Sequence, residues 1–157
     1  MNIKIEEYAS AYRDAVSNIV TRNMLEINSR DYGIEQMREH ACGFTPEKIA
    51  ELAEKGKIFV ALSGQTALGT LRACPDGFGE HGDYVLLTIF VLPEYHSMGI
   101  GKLLMRAGEA YVKGLGAKKI TIPASVTAHK FYHKLGYEYA DGREPNSHGV
   151  ILMNKHI

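Results

Sequence analysis

The stretch that most constrains the fold is an apolar strand followed at once by a glycine-rich turn and a helix. Residues 84–92 are apolar on both faces, which is typical of a strand at the centre of a sheet. Pro93 ends this strand, because proline has no N–H group to donate to a neighbouring strand. Gly99 and Gly101 then open a helical pattern over residues 100–113. This order predicts at least one strand–helix–strand unit.

The remaining patterns predict strands and helices on either side of this unit. Expected strands cover residues 2–8, 57–62, 66–73, 119–122, 137–140 and 150–153. Expected helices cover residues 11–26, a short segment with Ile34, Met37 and Ala41, residues 46–55 and residues 127–135. Helix 100–113 is expected to bury Leu103, Leu104, Ala107, Ala110 and Tyr111. Residues 28–32 and 74–83 predict loops, and the whole order predicts a mixed α/β fold in a single domain, residues 1–157.

Composition and charge argue against several kinds of partner. The 18 basic residues balance 18 acidic ones, so the chain lacks the basic footprint of a nucleic-acid-binding protein. The longest apolar run, residues 85–92, is far too short to span a bilayer. The first seven residues carry no signal-peptide pattern, so Cys42 and Cys74 are expected to be free thiols in the cytoplasm.

The turn before helix 100–113 has the chemistry of a phosphate site. The start of a helix carries unpaired N–H groups and a partial positive charge, and glycines let a bulky anion approach them. A dinucleotide fingerprint would need glycine where Leu104 stands, and a nucleoside-triphosphate loop would need glycine at His96 and a hydroxyl at Leu103. Such turns also occur as plain connections, so the turn alone leaves both interpretations open.

Two segments together resemble the GNAT superfamily of N-acetyltransferases. Residues 96–101, H-S-M-G-I-G, resemble the signature [QR]-x-x-G-x-[GA], with His96 in place of Gln or Arg. Residues 125–137 resemble the element N-x-x-A-x-x-F-Y-x-x-x-G-[FY], with Ser125 in place of Asn. The resemblance covers nearly the whole chain and is most specific over residues 84–137.

The resemblance implies a fold and an activity. The fold would be a mixed, mostly antiparallel central sheet, splayed in the middle, with helices on both faces. The activity would be transfer of acetyl from acetyl-CoA to a primary amine, with a polyamine, amino sugar, amino acid or protein amine as acceptor. A catalytically weak CoA-binding sensor is the alternative from another class, and a phosphate-binding module unrelated to CoA is a third. No nucleic acid or membrane partner is expected, and a homodimer stays open.

The resemblance also implies which residues form the site. The backbone of Ile89 and Val91 would hold the pantetheine arm and the acetyl carbonyl. The pyrophosphate would be cradled by Met98, Gly99, Gly101 and Lys102. Ser125 keeps a hydroxyl in the second segment and is grouped with these cofactor-binding residues. Tyr132 matches the tyrosine that protonates the departing thiolate, the alternative being a tyrosine of the core.

The general base is not evident from the sequence. Val85 stands at the strand position where some members of the superfamily have a glutamate. The candidates are His81, Asp83, Tyr84, Glu94 and Glu26, and a water relay is equally open. His81 and Asp83 without a third ligand make a poor metal site, so no metal is expected.

Overall fold

The computed structural model describes residues 1–76 and 83–157. The described strands are β1 (Ile3–Glu7), β2 (Lys57–Ser63), β3 (Thr66–Pro75), β4 (Tyr84–Val91), β5 (Lys119–Ser125), β6 (Glu138–Tyr139) and β7 (Val150–His156). They form one open sheet in the order β1-β2-β3-β4-β5-β7-β6. The β4–β5 pair is parallel and the other neighbouring pairs are antiparallel. The mixed, mostly antiparallel sheet is therefore confirmed.

Helices pack on both faces of this sheet. They are α1 (Arg13–Asn23), α2 (Ser29–Tyr32), α3 (Ile34–Ala41), α4 (Pro46–Glu54), α5 (Ile100–Gly114) and α6 (His129–Lys134). Short 3₁₀ segments cover Ser10–Tyr12, Cys42–Phe44 and Pro93–Tyr95. A five-residue π-helical turn, Met24–Asn28, joins α1 to α2 and is called the π-turn below. Within the described ranges, no helix is both long enough and apolar enough to cross a bilayer.

The sheet opens between β4 and β5, as the resemblance implied. These two strands pair only at their starts, Tyr84 with Ile120 and Val85 with Thr121. Beyond these pairs the remaining residues of β4 have no partner in β5. The splay leaves a wedge-shaped opening at the carboxyl ends of the two central strands, where α/β folds commonly bind ligands.

A β-bulge in β4 accompanies this opening. Arg72 of β3 pairs with Leu87 and Thr70 pairs with Phe90, so one residue of β3 lies opposite two of β4. Thr88, inside the bulge, has a φ of 55°, a left-handed conformation that costs a residue with a side chain about 1–2 kcal/mol. Such strain concentrates at functional sites, where the surrounding structure holds it in place.

The loop predicted for residues 28–32 is wrong, because this segment is helical. Asn28 ends the π-turn and the other residues form α2. The Tyr32 hydroxyl donates to the carbonyl of Gly149 at 2.7 Å and accepts from the N–H of Val126 at 2.9 Å. These contacts with distant segments hold α2 in place despite its polar composition.

The loop predicted for residues 74–83 begins too early. Cys74 pairs with Val85 and Pro75 with Tyr84, so both belong to β3. A proline is tolerated at the end of a strand because its missing N–H breaks no interior ladder. Residues 77–82 lie outside the described residues, and so does the candidate base His81.

The buried face of α5 is also rotated from the predicted one. Its buried residues are Ile100, Leu104, Met105, Gly108 and Val112. Ala110 is exposed, whereas Leu103, Ala107 and Tyr111 are only half-buried. Gly108 lies on this buried face, where a β-carbon would come within 2.9 Å of Cδ2 of Leu71 on β3. With this face against the sheet, Ala110 points outward.

Candidate active site

A cavity of about 550 Å³ lies where β4 and β5 separate. Its walls come from β4, β5, the loop before α5, the start of α6 and the π-turn. It brings together nearly all of the predicted site residues: Ile89, Val91, Gly99, Gly101, Lys102, Ser125 and Tyr132. Met98 is the exception, since it does not line the cavity and is 54% exposed.

The backbone of β4 turns polar groups toward the opening. The N–H of Leu92 donates to the carbonyl of Leu68 on β3 at 2.7 Å. Because successive residues of a strand direct their backbone groups to opposite edges, Val91 turns its groups away from β3. Ile89 lies next to Thr88 in the bulge, where this alternation is interrupted. The edge away from β3 faces β5 where the strands have separated, and both residues line the cavity there.

The carbonyl oxygen of Val91 forms hydrogen bonds with the side chains of Asn23 and His96, an arrangement that the sequence did not predict. It accepts from Nδ2 of Asn23, on α1, at 2.8 Å and lies 2.8 Å from Nε2 of His96. The same nitrogen of His96 is 3.1 Å from Oδ1 of Asn23. Since a carbonyl only accepts, Nε2 carries the hydrogen. His96 therefore fastens the start of the loop to β4 instead of reaching toward a phosphate.

The first turn of α5 is built to receive an anion. No side chain caps this helix, and its N-cap residue Gly99 has a φ of 82°. A β-carbon at Gly99 would meet no atom within 4 Å, so the space above the unpaired N–H groups is open. Lys102 is exposed, lines the cavity and has no ion-pair partner among the described residues. A cation beside the partial positive charge of a helix N-terminus is unfavourable unless an anion lies between them and binds the cation and the helix N–H groups.

Gly101 and Phe131 bring the two motif segments of the sequence into contact. A β-carbon at Gly101 would lie 3.1 Å from Cζ of Phe131, so a larger residue there would require the ring to shift by a few tenths of an ångström. The ring of Phe131 in turn packs edge-on against that of Tyr132, with 5.2 Å between centroids. Ser125 contributes to the same arrangement, because its Oγ accepts from the N–H of Ala128 at 3.1 Å in the turn before α6.

Tyr132 places a protonated hydroxyl at the cavity. The residue is only 5% exposed, it lines the cavity, and its hydroxyl bonds to none of the described residues. Burial raises the pKa of the Tyr132 phenol above its ordinary value, because the phenolate would lose its hydration. The hydroxyl therefore keeps its proton at neutral pH and can donate it to a group in the cavity.

The structure brings none of the described candidate bases to the cavity. Asp83 forms an ion pair with Lys119 at 3.5 Å, near the start of β4. Glu26 and Glu94 both pair with Arg22, at 2.7 and 3.0 Å. Like them, Tyr84 does not line the cavity. Within residues 1–76 and 83–157, no carboxylate is among the lining side chains.

Comparison with known proteins identifies the family. The acetyltransferase (GNAT) family profile matches residues 21–137. The uncharacterized N-acetyltransferase YjcF of Bacillus subtilis (strain 168) is 31% identical over 99 residues, which are 62% of this chain and 67% of that protein. The uncharacterized N-acetyltransferase YafP of Escherichia coli (strain K12) is 23% identical over 153 residues, 98% of this chain and 93% of that one.

Solved structures share the fold at low sequence identity. The PaiA N-acetyltransferase from Thermoplasma acidophilum, solved in complex with coenzyme A, superposes with a TM-score of 0.84 at 18% identity, covering 100% of both chains. A GNAT family acetyltransferase from Brucella melitensis, in complex with acetyl-CoA, gives 0.71 at 20% identity, covering 99% of this chain and 88% of that one. Together with the profile match, they show that the chain belongs to the acetyltransferase (GNAT) family and is an acetyltransferase.

Proposed function

We propose that the protein transfers the acetyl group of acetyl-CoA to a primary amine by direct attack of the amine on the thioester. The observation that carries this proposal is the meeting, in one cavity, of an uncapped helix N-terminus with the protonated hydroxyl of Tyr132. The first suits the pyrophosphate of the coenzyme, and the second suits a departing thiolate.

The residues present fit acetyl-CoA as the co-substrate. The N–H groups of residues 98–102 and the ammonium of Lys102 would hold the pyrophosphate. The N–H groups of Ile89 and Val91 would bind the pantetheine arm and the thioester carbonyl, where a fixed donor stabilises developing negative charge. The structural relatives from Thermoplasma acidophilum and Brucella melitensis were solved with coenzyme A and acetyl-CoA.

Each proton that moves during the transfer has a donor and an acceptor. The co-substrate supplies an activated acetyl group as a thioester. Attack forms a C–N bond and breaks the C–S bond, and Tyr132 gives its proton to the sulfur. The amine nitrogen loses one proton as the amide forms. With no carboxylate among the described lining residues, water passes this proton to solvent and the phenol is reprotonated in the same way.

The experiment is a transfer assay with purified protein, acetyl-CoA and a panel of primary amines. Acetylated amine should accumulate together with an equal amount of coenzyme A, both measured by mass spectrometry. This readout is preferred to a thiol reagent because Cys42 is an exposed free thiol and would react with it. Binding of coenzyme A with no transfer to any amine would instead support the CoA-binding sensor.

A further inference from the structure

The π-turn carries an asparagine whose amide is open to the cavity. Asn28 is only 9% exposed as a whole residue, lines the cavity and makes no side-chain hydrogen bond to the described residues. Its amide is not among the buried polar atoms that lack a partner, so it is accessible from the cavity. By contrast, the nearby amide of Asn23 is fully engaged with backbone carbonyls and His96. The unpaired amide therefore points to a ligand.

The wall that carries Asn28 is held rigidly. Tyr32, four residues further on, bonds to both Gly149 and Val126, and Asp31 accepts from Oγ1 of Thr127 at 2.8 Å. The π-turn is thereby held between α1 and an α2 that is bonded to the segment after β5 and to Gly149. π-Helical turns often occur at functional sites, where the widened backbone re-aims a side chain. Here the turn sets an amide against the cavity.

The other side chains that line the cavity indicate which kinds of acceptor amine can bind. Apolar side chains dominate it near β4 and the π-turn, including Ile27, Leu87 and Phe90. Among the described lining residues, Lys102 is the one side chain with a permanent charge, and it belongs to the loop before α5. An acceptor with a second ammonium group would place that charge against apolar side chains, with no carboxylate among the described lining residues to pair with it, which is unfavourable.

An amide also suits the chemistry better than a carboxylate would. The attacking amine must be neutral, with its lone pair directed at the thioester carbon. A carboxylate partner favours the charged ammonium form, whereas the neutral Oδ1 of Asn28 can accept from one N–H of the free amine. We propose, resting on the acetyltransferase function above, that the acceptor is a primary monoamine with an uncharged, apolar body and that Asn28 holds its amino group.

The test compares amines and variants in the transfer assay. Phenethylamine and isoamylamine represent apolar monoamines, and spermidine and glucosamine represent polycationic and strongly polar acceptors. The monoamines should have the higher kcat/KM. Asn28→Ala should raise the KM for phenethylamine about tenfold, as expected for one lost hydrogen bond to a buried group, while the Kd of coenzyme A stays unchanged. Asn18→Ala, an exposed asparagine on α1, is the matched control and should change neither value.

A second variant keeps the test independent of folding. Asn28→Asp has nearly the same shape but introduces a carboxylate, which should stabilise the charged ammonium form of the bound amine. The variant should therefore shift the substrate preference toward spermidine. The rise of kcat with pH should also move to higher pH. Spermidine as the best wild-type acceptor, or an unchanged phenethylamine KM in Asn28→Ala, would overturn the assignment of Asn28. Absence of transfer to every amine would be a different result, because it contradicts the acetyltransferase function itself.

Discussion

The Nε2 atom of His96 lies 2.8 Å from the carbonyl oxygen of Val91, and this bond ties the loop before α5 to the end of β4. The same carbonyl accepts from Asn23 on α1. One backbone oxygen thus joins α1, β4 and the loop before α5.

Replacing His96 should weaken coenzyme binding without abolishing it. In His96→Ala the loop loses one hydrogen bond, worth about 0.5–1.5 kcal/mol, so the Kd of coenzyme A should rise about 2- to 10-fold. Calorimetric titration measures this change. His40→Ala removes an exposed histidine from α3 and serves as the control. If His96→Ala binds coenzyme A as tightly as the wild type, the bond to Val91 does not position the loop.

Gly99→Val should remove the thermal stabilisation that coenzyme A gives. A ligand at 100 times its Kd adds about 2.7 kcal/mol, a shift of several degrees in Tm. The variant places a branched side chain in the open space above the helix N-terminus and strains a left-handed backbone. Gly116→Val is the matched control, because Gly116 has a φ of 92°, equally open space and no part in the cavity. Both variants should lose stability, but only Gly99→Val should lose the response to coenzyme A.

Lys102→Glu should have opposite effects on stability and on binding. A negative charge in the first turn of α5 favours the helix dipole, so the free protein should gain about 0.3–1 kcal/mol in urea unfolding. Coenzyme A should bind more weakly, and the difference from wild type should shrink as salt screens the charges. Lys113→Glu, in the last turn of the same helix, should destabilise the protein and leave binding unchanged. Unchanged binding in Lys102→Glu would remove Lys102 from the site.

Tyr132→Phe should lower kcat steeply while acetyl-CoA still binds. General-acid catalysis contributes about 10²–10⁴-fold, and phenylalanine keeps the ring packing while deleting the proton. Tyr139→Phe is the control, because the Tyr139 hydroxyl bonds to His129 at 2.8 Å and does not line the cavity. A variant that keeps more than about half of the wild-type rate, with chemistry rate-limiting, would leave Tyr132 as a packing residue.

The same tyrosine sets an expectation for the pH profile. Only the protonated phenol can act as an acid, and an ordinary phenol would lose its proton near pH 10. Because burial raises the pKa of Tyr132, its acid form should persist above that pH. Wild-type kcat should therefore rise with pH as the amine deprotonates and should not fall near pH 10. A fall centred at about 10 in stopped-time assays of the folded enzyme would contradict this role.

The local patterns of the sequence were sufficient for the central unit. β4 and α5 follow their predicted bounds within one residue, since a continuous apolar run, a proline and two glycines act over short range. Residues 28–32 could not be assigned in this way, because the bonds that hold Tyr32 reach Val126 and Gly149. A polar segment stabilised by distant partners looks like a loop in sequence.

The residues of the candidate site also differ in whether a local sequence motif reveals them. Gly99, Gly101 and Tyr132 belong to local motifs, and the structure places all three at the cavity. Asn23 and Asn28 have no motif. Asn23 could have been suspected, because it continues the buried stripe of Ile19 and Val20 at helical spacing. Asn28 gave no such signal, since the segment that carries it is held by bonds to residues distant in sequence.

The bond between Tyr32 and Gly149 has a consequence for the order of folding. The two residues are 117 positions apart, so closing this contact requires nearly the whole chain to be collapsed. During synthesis the π-turn emerges long before Gly149, and a helix of four residues such as α2 is not stable by itself. The wall that carries Asn28 therefore becomes rigid only after the C-terminal strands have joined the sheet.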